Sequence, residues 1–204
     1  MRRARSVAFG VSTIATLIEP PRWGARGVCF APPQPAGAAP ELSATGATTL
    51  PELETPALLI DLDALEANLA EMAAVAARVG VRLRPHTKTH KSPEIARMQL
   101  EAGAAGITCA KLGEAEVMAD AGLDDLLVAY PLVGEGKLRR LRDLMERARV
   151  RASLDSVEVA EGLGRVGRER GRDVEVLVEV DTGLHRLGRP PGRPTAELVG
   201  QVAR

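Results

Sequence analysis

The chain has 204 residues, enough for one good core or for a domain with a tail. Its 27 basic residues balance 27 acidic ones, which leaves no field to attract nucleic acid or an anionic membrane surface. Phe9, Trp23, Phe30 and Tyr130 are the only aromatic residues, so there is no platform for stacking bases and the core is aliphatic.

The N-terminus, Met1-Arg2-Arg3-Ala4-Arg5 followed by an apolar stretch over 7–18, is weakly like a secretory signal. Ser12, Thr13 and Thr16 dilute it, and no small-residue cleavage site follows. A non-structural leader is the preferred reading, and the cytoplasm the expected location. No segment reaches the ~20 apolar residues that span a bilayer. Pro20-Pro21, Pro32-Pro33, Pro35 and Pro40 lie in a Gly/Ala/Ser/Thr background, so residues 1–52 are expected to be a disordered leader. Residues 53–204 form the folded domain.

From Thr55 the pattern changes. A leading strand is expected over 57–62, and Asp63 with Glu66 reads as the start of a helix. Leu65, Leu69, Met72, Ala76 and Val79 give it one apolar face, and Gly80 closes it. Strand-like runs then recur at 81–85, 107–110, 125–130, 150–154 and 174–180. Between them, Ser92-Pro93 opens a helix that Gly103 ends. A second helix runs from about Gly113 to Ala121. A third carries Leu138, Leu141, Met145 and Ala148 on one face, with Lys137, Arg139, Arg140, Arg142 and Arg147 in solvent. Ser156 opens a fourth towards Arg170, and a fifth begins at Thr195.

Strands alternating with helices every 20–25 residues or so are βα units of a parallel sheet. A doubly wound sheet and a (β/α)8 barrel both fit that rhythm. A closed barrel takes eight strands and ~250 residues, so as a barrel this chain is an incomplete one: about five repeating βα units plus the leading strand.

In parallel βα folds, functional side chains gather at the carboxyl ends of strands. Lys88, Lys91, Lys111, Tyr130, Asp155 and Arg186 all follow such ends. A lysine there can attack an aldehyde once its pKa is lowered by burial or a nearby cation. An arginine there presents a fixed donor fork to a phenolate or phosphate. Pyridoxal phosphate offers both an aldehyde and such oxygens. The plainer readings are a solvated loop for the lysines, a surface turn for Arg186, a strand end for Tyr130 and a helix entry for Asp155. Gly113-Glu114 reads as the opening of a helix. His86 and His90 are four apart but precede Ser92-Pro93, which puts them in a loop rather than on a zinc-binding helix face. Cys29 and Cys109 form no metal spacing, and Cys109 reads as a buried, inert thiol. The G-x-G-x-x-G string at 162–167 falls inside a helical stretch, not at the strand–helix turn of a dinucleotide site.

Three stretches carry a family resemblance. Residues 55–69, TPALLIDLDALEANL, resemble the opening of the alanine racemase N-terminal-domain superfamily. Arg84-Pro85-His86-Thr87-Lys88-Thr89-His90-Lys91 is similar to its D-threonine aldolase and D-serine dehydratase branch, and Asp181-Thr182-Gly183-Leu184-His185-Arg186-Leu187-Gly188 to its arginine turn. The resemblance implies a (β/α)8 barrel that uses pyridoxal 5'-phosphate. It places Lys88 at the lysine that holds the cofactor covalently, Arg186 at the arginine on its ring oxygen, and His86 at a histidine beside it. Lys91 takes no role from it. It implies a lyase acting on D-β-hydroxy-amino acids, D-threonine aldolase-like because 127–134, LVAYPLVG, resembles that sub-branch. The alternatives are a D-serine dehydratase-like lyase and a truncated, non-catalytic remnant or cofactor-binding protein. The partner is a small D-amino acid, and a homodimer is expected of the full-length enzyme. No metal ligand is assigned within this chain; a divalent Mn or Zn ion is expected in the family's C-terminal part.

Overall fold

The structure is a computed structural model of the chain that describes residues 27–29, 56 and 58–203. The chain divides into two compact units, 14–72 and the remainder. In the first, β1 (Gly27–Cys29) pairs antiparallel with β2 (Leu59–Asp61), with Val28 opposite Ile60. The rest of the expected leader, residues 1–26 and 30–52, lies outside the described residues.

Helix α1 spans Leu62–Val79. It starts one residue before the expected Asp63, and its cap is a different acid. Asp61 Oδ1 accepts the Ala64 N–H at 3.0 Å, satisfying one of the donors that a first turn leaves open. Gly80 closes the helix at φ +69°. Of the expected apolar face, Ala76 is buried while Met72 and Val79 stand exposed.

The larger unit is built on a parallel sheet in the order β3 (Ile107–Cys109), β4 (Asp125–Val128), β5 (Arg149–Leu154), β6 (Glu175–Val178). The helices that follow these strands are α3 (Leu112–Asp120), α4 (Glu135–Leu144), α5 (Val157–Arg170) and α6 (Arg193–Val202). Helix α2 (Pro93–Glu101) precedes β3. The sheet with its alternating βα units is part of a (β/α)8 barrel.

The run at 81–85, expected as the first repeating strand, is extended but joins no ladder. It is tied to β3 by a single parallel bridge, His86 to Thr108, and by the Ala105 N–H to Leu83 O and Thr108 N–H to Pro85 O bonds, both 2.8 Å. Pro85 has no N–H to give, which interrupts pairing where a continuous strand needs it.

Burial follows the two-residue period of strands in β4, while Thr108 of β3 and Ser153 of β5 are buried at the alternate positions as well. Ile107 and Cys109, Leu126 and Val128, and Val150, Ala152 and Leu154 are all buried in one core with Leu112, Ala115, Met118, Leu138, Leu141, Leu144 and Leu163 from the helices. The alternate positions carry Asp125, Arg151 and Glu175, which neighbouring strands bring together. Asp125 pairs with Arg84 at 2.8 Å and with Arg151, Arg151 pairs with Glu175 at 2.9 Å, and Arg149 pairs with Glu175. Burial acts to raise the Asp125 pKa, but hydrogen bonds and charges from Arg84 and Arg151 outweigh it and hold the carboxyl below its ordinary value.

The cations of α4 lie in solvent as expected, and Arg140 and Arg142 meet Glu116 and Glu169 on adjacent helices; Arg147, expected on the same helix, falls in the turn after it and meets Asp120. The glycines of the 162–167 string lie within α5. A Cβ on Gly162 would sit 3.2 Å from Leu138 Cδ1, and one on Gly167 would sit 3.1 Å from Arg172 O. They serve close packing, not phosphate.

Gly106, at φ +151°, is required where Arg84 crosses to Asp125: an added Cβ would lie 2.7 Å from the Asp125 carbonyl oxygen and on the Arg84 guanidinium. Gly106→Ala should destabilise the chain by about 2–3 kcal/mol, read as a lower midpoint in urea with an unchanged slope. An unchanged midpoint would show that the crossing is not tight.

Candidate functional site

The lysine turn follows the extended segment at the carboxyl edge of the sheet. Residues Thr87–Thr89 form a 3-10 turn whose cap, His86, accepts the Lys88 N–H on Nδ1 at 3.3 Å. Thr87 is fully buried, and its hydroxyl reaches Thr108 O at 3.2 Å and Cys109 Sγ at 3.8 Å. The Lys91 N–H returns to Thr87 O at 2.7 Å, which turns Lys91 to φ +55°. Ser92 then caps α2 by accepting the Ile95 N–H at 3.2 Å. The turn's backbone and hydroxyls are thus used internally. The Lys88 side chain stands exposed with no ion-pair partner among the described residues.

His86 is half-buried, and its pKa is lowered first by burial and then by the Lys88 charge, against smaller upward pulls from Glu114 and the Thr108 backbone. The lowering favours the uncharged ring. With Nδ1 accepting the Lys88 amide, its proton is on Nε2. His90 belongs to the scaffold: its Nδ1 accepts the Ser92 N–H at 3.1 Å. Its Nε2 and Gln99 Oε1 are both buried with no other partner, and the Gln99 side chain pulls the His90 pKa upward against burial. The two groups complement each other as donor and acceptor. Cys109 is buried, and burial pushes its thiol up to about 11, which leaves it protonated and inert.

Sequence reasoning missed Glu114 as more than a helix opener. Its carboxyl is buried, and Oε2 accepts the Ala110 N–H at 2.8 Å while Oε1 pairs with Lys91 Nζ at 3.4 Å. It therefore joins the end of β3 to the lysine turn. The signal was an acid three residues past the helix cap at Lys111, the spacing from which a side chain reaches back across the first turn.

The arginine turn follows β6: two residues beyond Val178, Val180 forms an isolated parallel bridge with Arg189, which closes the turn between them. Asp181 shapes its interior. Oδ1 accepts the Gly183 and His185 N–H groups, both at 2.9 Å, and Oδ2 meets His185 Nδ1 at 2.7 Å. Those two backbone donors lead the effects that hold the Asp181 pKa below its ordinary value. Arg186 is exposed and, like Lys88, has no ion-pair partner among the described residues.

The six candidates thus all follow strand ends or the extended segment. Lys91 is engaged by Glu114, and Asp155 by the Gly188 N–H at 3.2 Å. Lys111 begins α3, and Tyr130, 46% exposed, follows β4. No hydrogen bond or ion pair joins Lys88 to Arg186. They stand at the same edge, on its two flanks, with β3, β4 and β5 between the extended segment and β6. In an eight-stranded barrel, strands four places apart face each other across the mouth. A cavity of about 670 Å³ lined by Leu163, Val174, Val176 and Val202 lies between α5, β6 and α6, on the helix side of the sheet. No helix among the described residues is long and apolar enough to cross a membrane.

The fold is a parallel βα sheet whose carboxyl edge carries, among the described residues, a lysine and an arginine without ion-pair partners, at the edge where such folds place their functional side chains. The chain belongs to the alanine racemase N-terminal-domain family, whose model matches residues 60–204. It is 38% identical over 153 residues to a D-threonine aldolase of Arthrobacter, covering 75% of this chain and 38% of that protein. It is 41% identical over 130 residues to the D-threo-3-hydroxyaspartate dehydratase of Delftia strain HT23, covering 64% of this chain and 34% of the relative. The crystal structure of D-threonine aldolase from Filomicrobium marinum superposes with a TM-score of 0.73 at 43% identity, over 76% of this chain and 42% of that one. The chain spans between a third and two fifths of the length of the curated relatives it matches.

Because the Lys88 charge depresses His86, Lys88→Ala should raise the His86 midpoint, which in the unaltered chain lies below the ordinary value of about 6.5. NMR titration of the ring reads both. A midpoint unmoved by the substitution would separate the two side chains.

Proposed function

We propose that the chain carries the cofactor-anchoring half-site of a pyridoxal phosphate-dependent lyase that acts on D-β-hydroxy-amino acids, with D-threonine aldolase-like cleavage to glycine and an aldehyde. The observation that carries the reading is the pair of unpaired cations, Lys88 and Arg186, on the carboxyl edge of a chain whose relatives are named for D-threonine and D-threo-3-hydroxyaspartate.

The residues present fit two groups of this cofactor: an unpaired amine meets an aldehyde, and an unpaired guanidinium meets a ring oxygen. When bound, the conjugated ring supplies the electron sink that breaking a bond at Cα requires. Lys88 anchors the aldehyde through Nζ, on a turn whose other polar groups are already satisfied. Arg186 holds the ring oxygen with a fork that cannot lose its proton. His86, neutral with its proton on Nε2, lends a donor beside the lysine. Lys91 is turned away to Glu114 and leaves the anchoring role to Lys88.

A dehydratase-like reading shares the substrate class and is favoured by the 41% identity to the Delftia enzyme. The divalent Mn or Zn ion and the homodimer follow from the resemblance, and the cytoplasmic location from reading the N-terminus as a leader and not as a secretory signal.

Incubation of the chain with pyridoxal phosphate, borohydride reduction and peptide mapping should place the adduct on Lys88, and Lys88→Ala should abolish it. Arg186→Ala should weaken cofactor binding by about tenfold or more while the adduct still maps to Lys88, as befits loss of one hydrogen bond to a charged group. Labelling only at Lys91 or Lys111 would contradict the assignment. With substrate, release of glycine from D-threonine marks the aldolase, and release of a keto acid marks the dehydratase.

A further inference from the structure

We propose that Asp155 is the positioning residue of the arginine turn, fixing the place of Arg186 by anchoring the turn's backbone to the neighbouring strand. The inference rests on the reading that Arg186 holds the cofactor's ring oxygen. Asp155 follows the last residue of β5 and is half-buried. Its Oδ2 accepts the Gly188 N–H at 3.2 Å. Among the described residues, this is the only hydrogen bond from residues 182–188 to a residue outside the turn itself.

The turn has two independent sets of restraints. Asp181 shapes its head through the Gly183 and His185 N–H groups and the His185 ring. Its base is closed by the Asp181 N–H to Arg189 O bond at 2.8 Å and the Arg189 N–H to Glu179 O bond at 3.0 Å. Both sets are internal to the excursion and its own strand, whose departing limb is held to β5 by the Glu179 N–H to Leu154 O bond at 2.8 Å. They leave the returning limb, beyond Arg186, without a tie to β5. That tie comes from Gly188, two residues past Arg186. It sits at φ +93° against the strand end, where a Cβ would lie 2.7 Å from Val180 C and from Asp181 N. A backbone this close to the segment that leaves β6 can point its N–H across to the segment that leaves β5, where the Asp155 carboxylate accepts it. Asp155 forms no ion pair with Arg186. It acts through the backbone and leaves the guanidinium free for an anionic ring oxygen. A carboxylate is suited to this work because a hydrogen bond to a charged acceptor is stronger than one to a neutral oxygen.

The test uses the full chain with Asp155→Ala, Asp155→Asn and Arg186→Ala. In Asp155→Ala, amide exchange at Gly188 should accelerate by about tenfold or more. Exchange at Gly183 and His185, held by Asp181, should stay unchanged and so report an intact turn. Binding of pyridoxal phosphate should weaken by about fivefold, and should weaken no further when Asp155→Ala is added to Arg186→Ala. Asp155→Asn, which keeps an oxygen acceptor, should restore most of both effects. Unchanged Gly188 exchange in Asp155→Ala overturns the proposal. So does an equal loss of cofactor binding in the Arg186→Ala background. If the unaltered chain binds no cofactor, the reading of Arg186 fails, while the exchange measurement still decides whether Asp155 holds the turn.

Discussion

Parallel pairing of β3 through β6 is the constraint on which the rest depends. Because each strand runs the same way, every connection from a strand to its helix leaves at one edge, whatever the loop contains. The extended segment at 81–86 joins that arrangement through one bridge and a few carbonyl bonds to β3. This is enough to deliver the lysine turn to the same edge as the arginine turn. A ladder with one reversed strand would send one of those turns to the far side.

The two edges of the sheet divide their work. The amino edge carries Arg84, Asp125, Arg151, Glu175 and Arg149 in a chain of ion pairs that cross-link strands. Its cations are satisfied. The carboxyl edge uses its carboxylates differently: Glu114 holds Ala110 and Lys91, Asp155 holds Gly188, and Asp181 holds Gly183 and His185. Each acid is spent on backbone or on a cation other than Lys88 and Arg186, so those two keep their charge available. Rigid turns bearing unpaired cations are what a preformed anion- and carbonyl-binding mouth requires.

Local chemistry was readable in the sequence where one residue decides the outcome. Ser92 and Ser156 accept the N–H groups of Ile95 and Val159 as a helix cap should, and Gly80 and Gly103 adopt the positive φ that ends a helix. The buried Cys109 and the placement of the 162–167 glycines inside a helix follow from the same kind of reasoning. What escaped depended on partners distant in sequence or on competition between neighbours. Asp61 rather than Asp63 caps α1, a choice between acids two residues apart. The 81–85 run lost its ladder because Pro85 withholds a donor. Asp125, Arg151 and Glu175 interrupt apolar strand runs, and only the register reveals that they meet. Glu114 and Asp155 each sit at a helix entry, where a capping acid and a loop anchor look alike until the partner is known.

The account stands or falls on whether one small molecule reaches from position 88 to position 186 across the mouth. A crystal structure of the protein bound to pyridoxal phosphate examines this directly. The account predicts continuous density from Lys88 Nζ to the cofactor's aldehyde carbon, with the Arg186 guanidinium within hydrogen-bonding distance of the ring oxygen. Density on another lysine, or an Arg186 side chain turned away from a cofactor seated on Lys88, would contradict it.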